Sequence, residues 1–442
     1  MNRERVGKGS GLSVGLLETR RLQPLLLAAL LALAGAWPVS AQVTASIFGV
    51  VTDASGGTVA GATVTVRNIE TGAERTTVTD GAGSYRVLAL PIGVYQVKVA
   101  KNGFQESARG GIELNVGQEA SIDVRLEVSS AKATVTVSED APVVNTSTSD
   151  ISGLVGTREI KELPLNGRSY DLLLTLNPGI VNFTSQKTGG TGISNSSTAN
   201  NFAISGNRPQ QNEFLLNGVE FTGAAENNMQ PGGPSGMLLG VDAVREFNVQ
   251  RDSYGAEYGK HPGGQVIIAT QSGSNTWHGA LYEFLRNSAL DSANYFDQGA
   301  SPPPFHRNQF GASSGGAIHK DKTFVFANYE GFRQDLNQTS AAFVPGLDAR
   351  AAAAPSVQPL LNLWPTPPAG TPELDVPGQK FGISQYFSSP LQTVREDFGT
   401  LRVDHVFSRA DSLAAIYTID DGGDVTATIA DPYSTDIVNL RE

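Results

Sequence analysis

The sequence contains no cysteine. That removes at once a disulfide framework, a thiolate metal site and a cysteine nucleophile. Histidine is scarce, at 5 residues, and none stands at metal-ligand spacing from another ligating side chain. Charged residues make up only 17%, and Asp plus Glu (43) outnumber Lys plus Arg (32), for a formal net charge of -11. A nucleic-acid surface needs clustered Lys and Arg, so that partner is excluded. Long apolar runs are missing too. The stretch 25–36, about a dozen residues, is too short to cross a roughly 30 Å bilayer as a helix. No Ser-His-Asp order and no phosphate loop is present: Gly81 and Gly83 do not continue to a third glycine, and no helical pattern follows them. Asp242, Glu246, Glu257 and His261 could be named as a carboxylate cluster, but nothing in the sequence brings them together, and ion-pairing or solvated roles are the simpler reading. No enzyme and no cofactor is expected.

What the sequence does have is glycine, 49 residues in 442, as expected of many short strands joined by turns. It opens with a targeting segment, 1–41. Arg3, Arg5, Lys8, Arg20 and Arg21 form a positive region, 25–36 is the apolar core, and Val39-Ser40-Ala41 is a small-residue cleavage signal. The mature chain is expected to begin near Gln42. Arg20-Arg21 invites a twin-arginine reading, but Leu22-Gln23-Pro24 lacks the continuation of that signal, and Sec export is favoured.

Residues 43–128 alternate with period two. Val64 and Val66, then Tyr95, Val97 and Val99, then Ile122, Val124 and Leu126 fall on one face, with polar residues between. Turn signals at 53–57, 80–83 and 91–93 have the spacing of an all-β sandwich. Tyr85 and Tyr95 are in phase with the valines and are read as core, which leaves no aromatic row for stacking on a sugar. Residues 129–270 mix short helices and strands. Thr157 is placed to cap a short helix that Pro164 ends, and 170–176 reads as a second amphipathic helix stopped by Asn177-Pro178-Gly179. Strands are expected at 202–206 and 214–219, the second bent about a turn in which Asn217 tolerates left-handed geometry. The tract 184–201 is almost devoid of apolar residues and reads as a loop. From 271 to 442, candidate strands are 277–286, 307–318, 323–333, 397–407 and 412–419. In KTFVFANYEGFR (322–333), Asn328 and Glu330 share the phase of Phe324 and Phe326, the mixed alternation of a membrane barrel strand. Residues 337–391 are Ala/Pro-rich and aperiodic, suited to a long outer loop.

These segments carry specific phrases. GVVTD (49–53), AGATVTV (60–66), TDGAGSY (79–85) and PIGVYQV (91–97) resemble the carboxypeptidase-regulatory-like domain. ELPLNGR (162–168), LLLTLNPG (172–179), VDAVREF (241–247), YGAEYG (254–259), PGGQVIIATQSGSNTWHGALYEFLR (262–286), RNQFG (307–311) and KDKTFVF (320–326) resemble Oar-like TonB-dependent outer-membrane receptors. The family more often has Asp at the position of Asn217.

The resemblance implies a mainly β protein in four parts. These are a signal peptide (1–41), a seven-stranded transthyretin-like β-sandwich (43–128), an α+β plug (129–270) and the first few strands of an incomplete outer-membrane β-barrel (271–442). It implies import of an unidentified ligand (glycan, siderophore-like or peptide) at the outer membrane of a Gram-negative-type bacterium. A periplasmic TonB-type energising protein and outer-membrane lipid are the implied partners. Ala133, Thr134, Val135, Thr136 and Val137 would be the TonB box, because a β-branched run without internal partners offers backbone groups for strand addition. The same five residues also read as a linker strand ending the sandwich. Receptors of this kind close at about 22 strands of roughly 9 to 11 residues each. The expectation is therefore a truncated product, a fragmentary gene or an N-terminal portion. The alternative is an exported carbohydrate- or envelope-binding sandwich without transport.

Overall fold

The computed structural model describes residues 44–128, 134–137, 151–183, 201–222, 231–255, 258–293, 301–337, 339–376, 379–409, 411–427 and 435–441. The expected signal peptide, Ala133, Glu257 and most of the 184–201 tract lie outside them.

The alternating valines of the first segment close a two-sheet sandwich. Strands β1 (Ala45–Asp53), β2 (Thr63–Asn68), β3 (Glu74–Val78), β4 (Ser84–Leu90), β5 (Gly93–Ala100), β6 (Glu106–Leu114), β7 (Glu119–Ser121) and β8 (Val124–Leu126) build it. β7 and β8 run parallel to successive halves of β1, so they form one strand interrupted after Ser121. The break lets Ile122 approach Gly49 so closely that a Cβ there would stand 2.1 Å from the Ile122 carbonyl oxygen. Ile47, Val64, Val66, Val97, Val99 and Leu126 fill the core. Tyr85 and Tyr95 are buried with them, and each hydroxyl reaches a backbone carbonyl, of Ile122 and Pro91 respectively.

A ninth strand, β9 (Thr134–Val137), extends this sandwich. It lies parallel to β6, with Glu106 opposite Thr134 and Arg109 opposite Val137, and it ends the sheet β3-β2-β5-β6-β9. The expectation that this run lacks internal partners is thus corrected: one of its two backbone edges is taken by β6. β9 stands at the edge of the sandwich sheet.

The middle segment folds around a five-stranded sheet, β10-β15-β16-β13-β14. Its strands are β10 (Ile151–Val155), β13 (Glu213–Leu216), β14 (Val219–Glu220), β15 (Val244–Asp252) and β16 (Gln265–Thr270), with β11 (Ile180–Asn182) and β12 (Phe202–Ile204) pairing separately. Helix α1 spans Thr157–Glu162 and stops before Pro164. Thr157 is its first residue, not its cap: its hydroxyl donates to the Arg245 carbonyl at 2.6 Å, and Gly156 holds the cap position. Tyr170–Leu176 is helical as expected, in the tighter 3-10 form. Asn217 takes φ 51° and its amide oxygen receives the Thr270 N–H, so the hairpin turn is tied to the neighbouring strand.

The last segment is a wall of long strands, in order β17 (His278–Asn287), β18 (Phe305–His319), β19 (Thr323–Asn337), β23 (Leu391–Val406), β24 (Ser412–Ala427) and β25 (Thr435–Arg441). The candidate strands all start or end within this set, but β18, β19, β23 and β24 run on to 15 or 16 residues. The residues 337–391 are not aperiodic coil. They contain β20 (Ser340–Pro345), β21 (Glu373–Val376) and β22 (Gln379–Ser388) in one small sheet, with helices α2 (Leu347–Ala352) and α3 (Gln358–Leu361). A short turn at 320–322 and the link from β23 to β24 mark one end of the wall, and the long excursions leave from the other.

Candidate functional site at the strand wall

Alternation gives the wall two chemically different faces. On β19, Phe324, Phe326, Asn328, Glu330, Phe332 and Gln334 are buried against the middle segment. On the other face, Leu281, Tyr329, Leu401 and Tyr417 are exposed. Toward the excursion end this outer face becomes charged, where Asp397 bridges Arg333 (2.6 Å) and Arg395 (2.7 Å).

The inner face grips the middle segment through two carboxylates, both fully buried. Glu330 accepts the Gly240 N–H at 2.9 Å and the Gln309 side-chain amide at 2.7 Å. Glu396, opposite Phe332 on β23, accepts the Ser235 N–H at 2.8 Å. Gln309 also donates to the Gly167 carbonyl at 3.1 Å. Arg168 completes the junction. Its guanidinium pairs with Asp242 at 2.7 Å, lies 3.5 Å from Glu330 and stacks 4.1 Å over the Tyr282 ring. Buried charges are retained in a protein when paired and hydrogen-bonded, as Arg168, Asp242 and Glu330 are here.

Glycine makes this contact close. A Cβ at Gly233 would fall 2.3 Å from the Glu396 carboxylate, and one at Gly240 would fall 2.3 Å from the Phe398 ring. Gly240 also has φ 91°, a conformation that L side chains rarely adopt. Around the polar contacts, Met237, Leu239, Ala243, Phe326, Phe332, Val394 and Phe398 form a small apolar cluster.

At the short-turn end, the middle segment also holds the sandwich. Arg245 on β15 makes two bonds of 3.1 Å to Glu70. Glu246, next in sequence, accepts the Val116 N–H at 2.6 Å. Burial pushes the Glu246 carboxyl up to about 7, against smaller lowering effects of the Val116 N–H and Arg245. Val116 packs with Leu215, Ile267 and Ala269. The wall joins in: Asn275 N–H donates to the Glu70 carbonyl at 2.9 Å.

The residues singled out in the sequence are therefore dispersed. Asp242 serves Arg168, Glu246 serves the sandwich, and His261 faces Glu220 at 3.6 Å. The sequence reading placed Glu330 on the Phe face but missed Gly240, Ser235 and Glu396. Thr134, Val135, Thr136 and Val137 lie on β9, away from the wall junction.

Residues 269–356 match the family described as Outer membrane beta barrel domain, and 46–127 match the Carboxypeptidase regulatory-like domain. The TonB-dependent transporter Oar of Myxococcus xanthus is 26% identical over 301 residues, which cover 65% of this chain and 26% of that protein. The chain thus spans about a quarter of the length of the curated relative it matches. Among solved structures, the outer membrane transporter YddB from Escherichia coli matches at 17% identity and TM-score 0.41, over 66% of this chain and 35% of that one. A putative carbohydrate binding protein from Bacteroides uniformis matches at 22% identity and TM-score 0.17, over 19% and 41%.

Proposed function

We propose that this Oar-like TonB-dependent transporter homologue is an outer-membrane receptor, not an enzyme, in which 129–270 acts as a plug inside the wall of long strands. The observation that carries the reading is the pair of wall carboxylates, Glu330 and Glu396, that receive plug backbone N–H groups. A plug must be tied to its wall and still be releasable. Two hydrogen-bonded carboxylates, one arginine and a small apolar cluster answer both needs, since a few polar contacts hold geometry without a large dry interface.

The outer face suits lipid. Exposed Leu281, Leu401 and Tyr417 are on the side away from the plug, and the charged group of Arg333, Arg395 and Asp397 lies toward the excursion end. Strands of 15 or 16 residues exceed the roughly 9 to 11 that a bilayer requires. Their charged upper parts would stand outside it. On this reading the short turns, the sandwich and β9 face the periplasm, and the excursions face outward.

Energy coupling would enter through residues 133–137. β9 leads by way of 138–150 to β10, the edge strand of the plug sheet, so tension on β9 would reach a strand that, among the described residues, pairs with β15 alone. The test places a photo-crosslinker at Thr134 in cells with a periplasmic TonB-type protein. The reading expects the chain in the outer-membrane fraction and a crosslink at Thr134. Recovery in the soluble periplasm with no crosslink would favour an exported envelope-binding protein instead.

A further inference from the structure

On the inner face of the wall, one step beyond the carboxylate junction toward the excursion end, two arginines stand directly opposite each other. Arg286 of β17 and Arg307 of β18 are register partners. They share the plug-facing side: two residues along β18, Gln309 donates to Gly167, and a Cβ on Gly167 would itself stand 3.3 Å from Arg307 Nη1. Both guanidinium groups lie over one ring, Phe305, at 4.7 and 5.3 Å, and Arg307 is also 5.2 Å from the Phe332 centroid.

Like charges directly opposite on adjacent strands destabilise a sheet. Arg286 is partly balanced by Asp291 at 3.3 Å. Arg307 is not: among the described residues it makes no ion pair. Its Nε and Nη2 both donate to the neutral Gln334 amide oxygen, at 2.9 and 2.7 Å. Gln334 fixes the plane of the guanidinium and leaves the charge uncompensated. Phe305, buried, and Phe332 wall off water on two sides. A cation that is oriented, stacked and unneutralised beside a second cation is a receptor for an anion, because guanidinium geometry matches carboxylate and phosphate oxygens.

We propose that Arg286 and Arg307 form an anion-recognition site at the outer end of the plug–wall junction, and that the ligand carries a carboxylate or phosphate group that bridges them. The proposal rests on the reading of this face as the receptor interior, and it narrows the ligand to an acidic one. Neutral glycans are disfavoured by it.

The test uses the purified full chain in detergent at low ionic strength, with citrate, inorganic phosphate and glucose as separate probes in calorimetry and thermal melts. Wild type is expected to bind citrate and to gain melting temperature with it, and to ignore glucose. Phosphate binding as well would point to any compact anion, whereas citrate alone would point to carboxylates. Arg307→Gln should weaken citrate at least about tenfold, the loss expected of one charge-assisted contact of about 1.5–3 kcal/mol. Arg286→Gln should weaken it less, since Asp291 already faces that residue. Arg307→Lys, which keeps charge but loses the fork, should fall between and guards against misfolding of the glutamine variant. Absence of anion binding by wild type, equal binding by Arg307→Gln, or glucose binding as tight as citrate would overturn the proposal. None of those results touches the crosslink at Thr134, so the receptor reading stands or falls separately.

Discussion

The Val116 N–H donates to the Glu246 carboxylate across the joint between the sandwich and the middle segment, at 2.6 Å, while the Val116 carbonyl accepts the Asn248 side-chain amide at 3.2 Å. One residue of a sandwich turn is thereby held at both backbone groups by side chains of a single strand, β15. The sandwich is docked and not merely tethered, and a titratable group sits at the centre of the dock.

Docking is expected to depend on pH. The Glu246 carboxyl is raised from an ordinary 4.5 to about 7 by burial, with Glu113 adding to the rise and Arg245 opposing it. The docked state therefore binds a proton more readily than the undocked state. This contribution is fully present below about 4.5 and is lost as pH rises through about 7. Glu246→Gln should hold the joint at pH 8 as firmly as wild type holds it at pH 5. Hydrogen exchange at the Val116 amide measures this, and identical pH profiles for the two proteins would contradict the assignment.

Arg168 should be the least replaceable residue of the wall junction. Among the described residues it alone pairs with both Asp242 and Glu330, and Arg168→Ala leaves both carboxylates without that cation. Breaking a buried ion pair on one side typically costs about 3–5 kcal/mol. Limited proteolysis of the middle segment should accelerate sharply in that variant. Arg158→Ala, at an exposed pair within α1, should change nothing measurable.

The Gly240 contact can be tested by rescue. Gly240→Ala must adopt φ 91° and drive its methyl to within 2.3 Å of Phe398, so it should destabilise the middle segment against the wall. Adding Phe398→Ala removes the steric part and not the backbone part. Partial recovery of protease resistance in the double variant is the expected outcome. No recovery would mean that conformation alone sets the requirement for glycine.

Much of this was legible because period-two alternation is local. The phase of KTFVFANYEGFR put Asn328 and Glu330 on the face of Phe324 and Phe326, and that is the face the wall turns to the middle segment. Tyr85 and Tyr95 were readable as core for the same reason. The partners of Glu330 and Glu396 were not, since Gly240 and Ser235 lie 90 and 161 residues away and present backbone groups, which leave no mark on composition. The strands were read short because their polar and charged ends break the apolar pattern while the backbone pairing continues, as between Asp335 and Thr393. Arg286 and Arg307 became a pair only once the register of β17 and β18 set them opposite each other.

The last expectation concerns β9. Its pairing with β6 occupies one backbone edge, and among the described residues no strand lies outside it. A partner strand can therefore add to the free edge without displacing the sandwich, and a segment already held extended loses less entropy on binding. Ser107 and Val135 are register partners across this pairing, and the protein has no cysteine of its own. Parallel neighbours lie about 4.8 Å apart, within the span of a disulfide, so Ser107→Cys with Val135→Cys should lock β9 onto β6 on oxidation. The oxidised protein should capture the purified periplasmic energising domain within about twofold of the reduced one. Val135→Pro, which removes a donor and fixes φ, should cut capture at least about tenfold. Loss of capture on oxidation, regained on reduction, would mean that the partner peels β9 from the sandwich. The sandwich would then act as a guard over the coupling strand and not as its platform.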